Sequence, residues 1–382
     1  MLTPHTPEEL AEALAAAAAR KQTIALGGNG SKRRMAGPIA PSDLEISTAA
    51  LKRTLDYEPR DLTVSVEAGM PWCELAHLVS GNGQMIPLDP PFAGTATVGG
   101  VIASNSSGPR RRLYGTARDL VIGMKFATLE GKLVQSGGMV VKNVAGLDMG
   151  KLMIGSFGTL AAVAVVNFKL TPAPEAERSF LLEFDSLARA AAARDGVLKS
   201  VLQPAAIDLL SPDAAAAVGA YSWTLAFRVG GNEPVIARYE REFAALGDSA
   251  MLAGERQEQL WRQIQNFTPH FLQQNAEGVV ARASCALKDV EAVMATFPGA
   301  AVARAGSGVC YGYFARAEAA ASWMAAVAGR GWKLAVEFSA EPRPDGLDLW
   351  PAPGSDFEVM KRVKQMFDPD GLLNRGRLYR RI

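Results

Sequence analysis

A run of small residues between Thr95 and Gly108 constrains the fold of this chain more than any other feature. It reads Thr-Ala-Thr-Val-Gly-Gly-Val-Ile-Ala-Ser-Asn-Ser-Ser-Gly. Because such residues leave the backbone uncovered, a large planar ligand could lie directly on it, with amide N–H groups facing its carbonyls and phosphates. Close packing of a helix on a sheet is the alternative, but it does not require the interleaved hydroxyl and amide side chains. We therefore expect a ligand-binding surface here, extending from Pro87 to Asp119.

A glycine-rich loop from Gly27 to Lys32 follows a short apolar stretch, Thr23 to Leu26, that is typical of a buried strand. Glycines and Asn29 can adopt positive φ, so several backbone N–H groups can converge into a nest that binds a pyrophosphate. Glycine-rich turns are common, so the loop alone is weak evidence. It is not GxGxxG and no helix obviously begins from it, which disfavours a Rossmann fold binding NAD.

A third segment, Lys142 to Leu160, leads into the longest apolar strand candidate, Leu160 to Leu170. Gly155, Gly158 and the strand backbone could present paired N–H and C=O groups to the edge of an adenine. Alone, this segment would be read as a loop.

The composition excludes several classes of protein. With 382 residues and 48% hydrophobic residues, the chain is long enough for two compact units. A net charge of +1 offers no field that would attract nucleic acid. The N-terminus lacks a signal-like pattern and no run of 18 apolar residues occurs, so we expect a cytoplasmic protein.

The cysteines and histidines do not suggest a metal site. Cys73, Cys285 and Cys310 are far apart and form no CxxC pair, so we expect each to be a small buried hydrophobic residue. The chain has three histidines, too few for a histidine-rich site without carboxylates. We expect no metal in this chain.

The pattern of elements predicts an α+β protein. Thr6 caps a first helix that runs to about Arg20, and the strand candidates on either side of Glu130-Gly131 predict a hairpin, so the sheet is not purely parallel. Beyond the Pro-rich break at 171–175, strand and helix candidates alternate as in a second α+β domain. We place the domains at 1–174, 175–345 and 346–382, and expect the last segment to pack on the first domain.

The three segments, in this order, resemble the PCMH-type FAD-binding domain of the vanillyl-alcohol-oxidase flavoproteins. The tail Phe367-Asp-Pro-Asp-Gly-Leu-Leu-Asn-Arg-Gly-Arg377 resembles the C-terminal signature of that family. The motifs GQMIPLDPP, GPRRRLYGTARD and VVKNVAGLDMGKLMIGSFG are similar to those in the FAD-binding subunits of bacterial glycolate oxidases. The resemblance implies a PCMH-type domain of two α+β subdomains, followed by an α+β cap domain with an antiparallel sheet.

The resemblance also implies which residues contact FAD. The loop would hold the pyrophosphate, the small-residue segment would lie along the isoalloxazine, ribityl chain and phosphates, and residues 155–160 would hold the adenine side. Because the loop and the small-residue segment contain neither His nor Cys, the attachment should be noncovalent. The expected cofactor residues are Gly27, Gly28, Asn29, Gly30, Ser31, Lys32, Pro87, Thr97, Val98, Gly99, Gly100, Ala103, Ser104, Asn105, Gly108, Tyr114, Gly115, Asp148, Gly155, Gly158, Thr159 and Leu160.

The second domain lacks the histidines that hold metal and substrate in the catalytic members of the family. At the comparable place the chain has Arg304 to Cys310, without a histidine, and no other residue is a convincing general base. Arg110 to Arg112 could bind a substrate carboxylate or an acidic partner, or could form a solvated loop. Asn374 and Arg377 are further substrate candidates, because the family signature brings the tail near the flavin.

Three isolated cations, Arg304, Lys333 and Arg343, are expected at the surface.

The resemblance implies an FAD-dependent oxidoreductase subunit that oxidises a 2-hydroxy acid such as glycolate. FAD would accept the hydride and pass electrons to a partner. The implied partners are a catalytic flavoprotein subunit and an iron-sulfur subunit, through which the chain could associate peripherally with a membrane. A subunit that binds FAD but only relays electrons or supports assembly is the alternative, and a stand-alone oxidase of another alcohol or amine is a weaker one.

Overall fold

The computed structural model describes residues 1–37, 39–140, 147–340 and 347–382. The strands are β1 (Ile24–Gly27), β2 (Leu44–Ser47), β3 (Thr54–Glu58), β4 (Thr63–Glu67), β5 (Gln84–Met85), β6 (Val121–Ala127), β7 (Leu133–Gly137), β8 (Ala162–Lys169), β9 (Thr171–Pro172), β10 (Ala176–Phe184), β11 (Ala206–Leu210), β12 (Trp223–Gly231), β13 (Ser249–Leu252), β14 (Val279–Ser284), β15 (Ala301–Arg304), β16 (Val309–Phe314) and β17 (Lys333–Phe338).

The α-helices are α1 (Pro7–Ala19), α2 (Trp72–Ser80), α3 (Val98–Ala103), α4 (Arg111–Tyr114), α5 (Ala117–Leu120), α6 (Gly150–Met153), α7 (Leu187–Lys199), α8 (Pro212–Ala215), α9 (Glu233–Ala244), α10 (Gly254–Gln265), α11 (Phe267–Gln274), α12 (Val290–Met294), α13 (Ala317–Val327) and α14 (Asp356–Phe367). No helix in the described ranges is both long and apolar enough to cross a bilayer.

The chain divides into two compact units. The first contains residues 1–107, 115–173 and 352–382, and the second contains residues 108–114 and 174–351. The division therefore falls between Ala173 and Pro174, and it assigns the C-terminal segment to the first unit. It also assigns the short segment 108–114 to the second unit, although its neighbours on both sides belong to the first.

The first unit is built on a five-stranded antiparallel sheet in the order β3-β4-β8-β6-β7. The apolar strand β8 lies in the middle, and its residues are almost all buried, as its composition predicts. β6 and β7 form the expected hairpin. A separate pair, β1 and β2, is parallel.

A threonine caps the N-terminus of both α1 and α3. Thr6 accepts a hydrogen bond from the N–H of Glu9 at 3.1 Å, and Pro7 begins α1, as predicted. Thr97 caps α3 in the same way, accepting from the N–H of Gly100 at 3.2 Å. The apolar face of α3 is buried in the core with β8, so the small-residue segment is fixed in place.

The second unit is an eight-stranded antiparallel sheet in the order β13-β10-β12-β11-β15-β16-β14-β17. Side chains alternate between its two faces. One face packs against α7, α9, α12 and α13 in an apolar core that includes Phe180, Phe227 and Phe243. The opposite face carries charged and aromatic side chains, described below.

Several expectations for individual residues need correction. Cys73 is exposed rather than buried, because it lies on the solvent side of α2, while Cys310 is buried as expected and Cys285 is half-buried. The Pro-rich break is not wholly irregular, since Thr171 and Pro172 pair with β5. Strands β11, β15 and β17 were not predicted.

Candidate functional site

The glycine loop and the small-residue segment meet in the first unit. The side-chain amide of Asn29 donates to the carbonyl of Thr95 at 3.2 Å. A Cβ added to Gly28 would lie 2.4 Å from Oγ1 of Thr97, closer than any real Cβ contact. The backbone of residues 27–32 therefore approaches residues 95–97 as closely as it does because position 28 carries no side chain.

The small-residue segment also meets the third segment. The N–H of Gly155 donates to the backbone carbonyl of Ile102 at 3.1 Å, and the N–H of Phe157 donates to that of Ala103 at 2.9 Å. Gly155 and Gly158 have φ values of +82° and +69°, which favour glycine. The turn that precedes β8 is thus hydrogen-bonded to the end of α3, as a site formed from all three segments requires.

Asn374, from the C-terminal tail, connects two of these segments. Its side-chain oxygen accepts from the N–H of Leu26 at 2.7 Å, and its amide donates to the carbonyls of Leu26 at 3.0 Å and Phe157 at 2.7 Å. The side chain is buried and holds β1 against the turn at 157. These contacts give Asn374 a positioning role; its predicted contact with substrate stays a prediction.

Arg377 fixes the backbone of the glycine loop and the residues that follow it. Its guanidinium donates to the carbonyls of Lys32 at 3.0 Å, Arg33 at 3.3 Å and Gly37 at 2.9 Å. It also lies over the ring of Phe157 at 5.7 Å. Substrate binding by Arg377 likewise stays a prediction.

Where the structure describes these segments, two buried polar side-chain atoms have no hydrogen-bond partner, Nζ of Lys32 and Oγ of Ser156. Burial lowers the pKa of Lys32 to about 8. An unpartnered buried polar group is costly, so both atoms are available to a ligand that brings its own acceptors. Lys32 was predicted; Ser156 was not singled out, although it stands between the two glycines of its turn.

The remaining predicted cofactor residues differ in their surroundings. Pro87, Val98, Thr159 and Leu160 are buried, whereas Asp148 is exposed and pairs with Lys151 at 3.6 Å. Gly115 has a φ of +81°, and it stands just before the capping box of α5.

Gly108 and Tyr114 belong to the second unit. Residues 142–146 of the third segment lie outside the described residues.

The described residues fit an FAD in the first unit. The glycines at 28, 155 and 158 leave backbone uncovered, and Lys32 and Ser156 supply a cation and a hydroxyl that are otherwise unpaired. A diphosphate needs such convergent N–H groups with a nearby cation. Sequence comparisons agree: residues 1–137 match the family described as FAD binding domain, and residues 352–378 match the C-terminal domain of FAD linked oxidases.

The curated relatives include one that matches over nearly the full length of both chains and others that match in part. The chain is 28% identical to glycolate oxidase subunit GlcE of Escherichia coli K12, over 97% of both chains. It is 28% identical to glycolate oxidase subunit GlcD of Bacillus subtilis, over 55% of this chain and 45% of GlcD. It is 34% identical to D-2-hydroxyglutarate dehydrogenase of Xanthomonas citri, over 44% of this chain and 36% of that enzyme. The chain thus spans less than half the length of the latter two relatives.

Solved structures share the fold at low identity. Alkyldihydroxyacetonephosphate synthase superposes with a TM-score of 0.75 at 18% identity, covering 97% of this chain and 75% of that one. The 4-ethylphenol oxidase of Gulosibacter chungangensis superposes with a TM-score of 0.71 at 14% identity, covering 98% and 88%. The FAD binding domain over residues 1–137, together with the glycolate oxidase and hydroxy-acid dehydrogenase relatives, identifies an FAD-dependent oxidoreductase, and FAD is its cofactor.

A row of charged and phenolic side chains crosses one face of the sheet in the second unit. We call it the charged row; it consists of Asp208, Arg304, Tyr311, Arg282 and Glu337, from the neighbouring strands β11, β15, β16, β14 and β17. Arg304 is ion-paired with Asp208 and is 8% exposed, so its predicted surface position is wrong. Lys333 is exposed, as predicted, and Arg343 lies outside the described residues.

Burial and neighbouring charges shift the pKa values in the charged row. Burial lowers and Asp208 raises the pKa of Arg304, with a net upward direction. Burial raises the pKa of Tyr311 to about 12. Burial also raises the pKa of Glu337, although Arg282, Arg111 and Arg304 oppose it. The row therefore contains a carboxyl group with an elevated pKa, the property expected of a group that exchanges protons.

Arg110, a predicted substrate residue, is engaged within the second unit. It pairs with Glu177 at 3.0 Å, and Arg228 pairs with the other oxygen of Glu177 at 2.6 Å. Both cations lower the pKa of Glu177, against the effect of burial. This network lies on the same sheet face as the charged row but nearer the opposite edge. Binding of a substrate carboxylate by Arg110 stays a prediction.

Proposed function

We propose that this chain is the FAD-binding subunit of a glycolate-oxidase-like complex that oxidises a 2-hydroxy acid. The observation that carries this proposal is the similarity to GlcE, which spans 97% of both chains and so includes the second unit as well as the FAD-binding segments. The relatives named D-lactate and D-2-hydroxyglutarate dehydrogenase support the same substrate class.

FAD would be held noncovalently by the predicted cofactor residues. The backbone N–H groups of 27–32 and the side chain of Lys32 would bind the pyrophosphate, while residues 97–105 would contact the ring and ribityl chain. When bound, FAD supplies the acceptor for the hydride that a 2-hydroxy acid loses from C2. Arg377 would maintain the loop that binds FAD, and Asn374 would hold β1 against the turn at Phe157, through the backbone contacts already described.

The proposed partners are a second flavoprotein subunit of the GlcD kind and an iron-sulfur subunit that receives the electrons. Association with a membrane would come through these partners. The GlcD similarity covers 55% of this chain, which is consistent with two related flavoproteins in one assembly.

A second candidate function is electron relay or assembly without substrate oxidation. It is favoured by the positions of the histidines, since His5, His77 and His270 are all exposed. A buried imidazole able to accept the proton of a substrate hydroxyl is therefore lacking, and another group would have to do this.

Anaerobic absorption spectroscopy of the purified, FAD-loaded chain separates these candidates. Loss of the oxidised-flavin bands on adding glycolate or D-lactate supports oxidation by this subunit. Unchanged bands with the chain alone, but loss in the complex with its partners, support the relay. A chain that is colourless and cannot be reconstituted with FAD would contradict both. Release of the flavin on denaturation tests the noncovalent attachment.

A further inference from the structure

Three buried polar atoms of the charged row lack hydrogen-bond partners: Nε of Arg282, Nε of Arg304 and Oε2 of Glu337. The Arg282 guanidinium lies 3.5 Å from this carboxylate oxygen without forming a hydrogen bond to it. Leaving such groups unpaired is costly, and ion pairs that serve only stability are usually closed by hydrogen bonds. The row thus presents two donors and one acceptor on the same sheet face.

The order of the strands fixes this arrangement. Asp208 is paired in register with Arg304, and Arg282 with Tyr311, while Glu337 lies at the bulge where β17 pairs with β14. The ring of Tyr311 lies 5.9 Å from the guanidinium carbon of Arg304. Donors therefore come from β15 and β14, and the acceptor comes from the edge strand beside Arg282.

The unpaired donors favour an anion. Nε of Arg282 and Nε of Arg304 lie on neighbouring parts of one sheet face, and Arg282, Arg111 and Arg304 all act on Glu337. A ligand with a single carboxylate would accept from the two unpaired arginine N–H groups. A phosphate would bring too much negative charge beside Glu337.

We propose that the charged row binds a 2-hydroxy carboxylate, with Arg282 and Arg304 holding its carboxylate and Glu337 accepting the hydrogen bond of its hydroxyl. The proposal rests on the proposed function for the identity of the substrate class. It assigns to a glutamate the contact with the hydroxyl that no histidine of this chain is placed to make. Glu337 lies in a strand that was not predicted, so sequence reasoning passed over it.

The carboxylate and the hydroxyl of the ligand would contact different residues of the row. Comparing ligands with and without the hydroxyl therefore tests whether Glu337 binds a ligand or only forms a structural ion pair with Arg282. Acetate matches glycolate except for the hydroxyl, so it would meet the arginines but leave Glu337 unpaired and repel it. The chain should therefore prefer glycolate over acetate by about 10- to 100-fold, the worth of one hydrogen bond to a charged acceptor.

The test uses equilibrium dialysis of radiolabelled glycolate and acetate against the full chain, loaded with FAD and kept reduced so that glycolate is not consumed. In Glu337→Gln, acetate should bind more tightly than to the unmodified chain, because the repelling charge is gone, and the preference for glycolate should fall to a few-fold at most. Glu258→Gln, an exposed carboxylate of the same unit, serves as the matched control and should behave as the unmodified chain.

A pH series adds an independent readout. Among the described residues, Arg282, Arg111 and Arg304 lower the pKa of Glu337, and Glu337 in turn raises the pKa of Tyr311 and Tyr313. The preference for glycolate should be present where Glu337 is ionised and should disappear as the pH falls through its raised pKa. It should stay small at every pH in Glu337→Gln.

Each outcome decides the proposal. An unchanged preference in Glu337→Gln, or an absence of binding by the unmodified chain, would overturn it. Neither result would touch the proposed function, which depends on FAD content and on flavin reduction in the complex. If glycolate bound in a Glu337-dependent way but did not reduce the flavin even in the complex, the proposed function would be overturned and the glycolate site would remain supported.

Discussion

The two units differ in the chemical groups that they could offer to a ligand: backbone groups in the first and side chains in the second. In the first unit the proposed FAD site is made of backbone, with glycines at the closest approaches and, among the described residues, one buried lysine without a partner. In the second unit the charged row is made of side chains from five strands, whose backbone groups are already used in the sheet. A backbone site suits a large cofactor with many acceptors, whereas a side-chain site can distinguish small acids.

This contrast predicts that mutations act differently in the two units. Replacing a side chain of the row should affect stability and small-ligand selection, while altering the glycine loop should affect FAD before it affects folding. The largest effect is expected where a charge is left buried without its partner.

Asp208→Asn should lower the free energy of unfolding by about 3–5 kcal/mol, because it leaves the buried Arg304 uncompensated. Urea unfolding followed by tryptophan fluorescence measures the loss. The double substitution Asp208→Leu with Arg304→Met should recover part of it, since no charge is then buried. Asp213→Asn, at an exposed position, is the control. If Asp208→Asn lost no more stability than Asp213→Asn, Asp208 and Arg304 would not form a buried ion pair.

In the first unit the corresponding test is Asn374→Ala. Three backbone groups, the N–H and C=O of Leu26 and the C=O of Phe157, lose their partner, and alanine must adopt a φ of 41°. We expect a loss of about 3 kcal/mol in unfolding free energy. FAD affinity should fall with it, because Leu26 directly precedes the glycine loop and Phe157 lies in the turn at 155–160 that belongs to the proposed site. Asn82→Ala, on the surface of the same unit, should change neither quantity.

The difference between the units also explains what the sequence revealed. The proposed FAD site of the first unit lies on contiguous segments, so glycine density and order were sufficient to predict a nucleotide site and to suggest a family that it resembles. The cap at Thr6 and the hairpin at Glu130-Gly131 were predicted for the same reason, since their signals are local.

The charged row could not be predicted in this way. Asp208, Arg304 and Glu337 are far apart in the chain and meet only through the strand order of the sheet. Each stands in a short, mostly apolar strand where one charged residue looks like a solvent-facing position, which is how Arg304 was read. Asn374 was singled out through its family signature, but its contacts with Leu26 and Phe157 depend on the folding of the tail onto β1.

Gly28→Val tests whether the backbone itself is the FAD site. The new side chain would overlap Thr97, so the loop would have to move away from residues 95–97 and lose contacts with the cofactor, and FAD binding should weaken by about 10- to 100-fold. Fluorescence titration with FAD measures the affinity. Gly196→Ala, which meets open space on α7, should leave it unchanged. Normal FAD affinity in Gly28→Val would show that the loop does not form the site.

Replacing Lys32 should change FAD affinity least, but it predicts pH dependences of affinity and of stability that have opposite directions. Its pKa of about 8 means that it loses its charge as the pH rises through 8, so FAD affinity should fall above that pH by up to about tenfold per pH unit. The stability of the chain measured without FAD should change in the opposite direction. Between pH 8 and 10.5 the unfolded state keeps a proton that the folded state lacks, so Lys32 adds up to about 1.4 kcal/mol of stability per pH unit.

Lys32→Met should abolish both trends and weaken FAD binding by about tenfold at pH 7, since one charge-assisted hydrogen bond to the pyrophosphate is lost. Subtracting the profiles of this variant removes the titration of other lysines and tyrosines. If affinity and stability changed with pH in the same direction in the difference profile, Lys32 would not be the cation of the FAD site. The first unit would then bind its cofactor without a lysine, mainly through backbone groups and the hydroxyl of Ser156, and the contrast with the charged row would be larger.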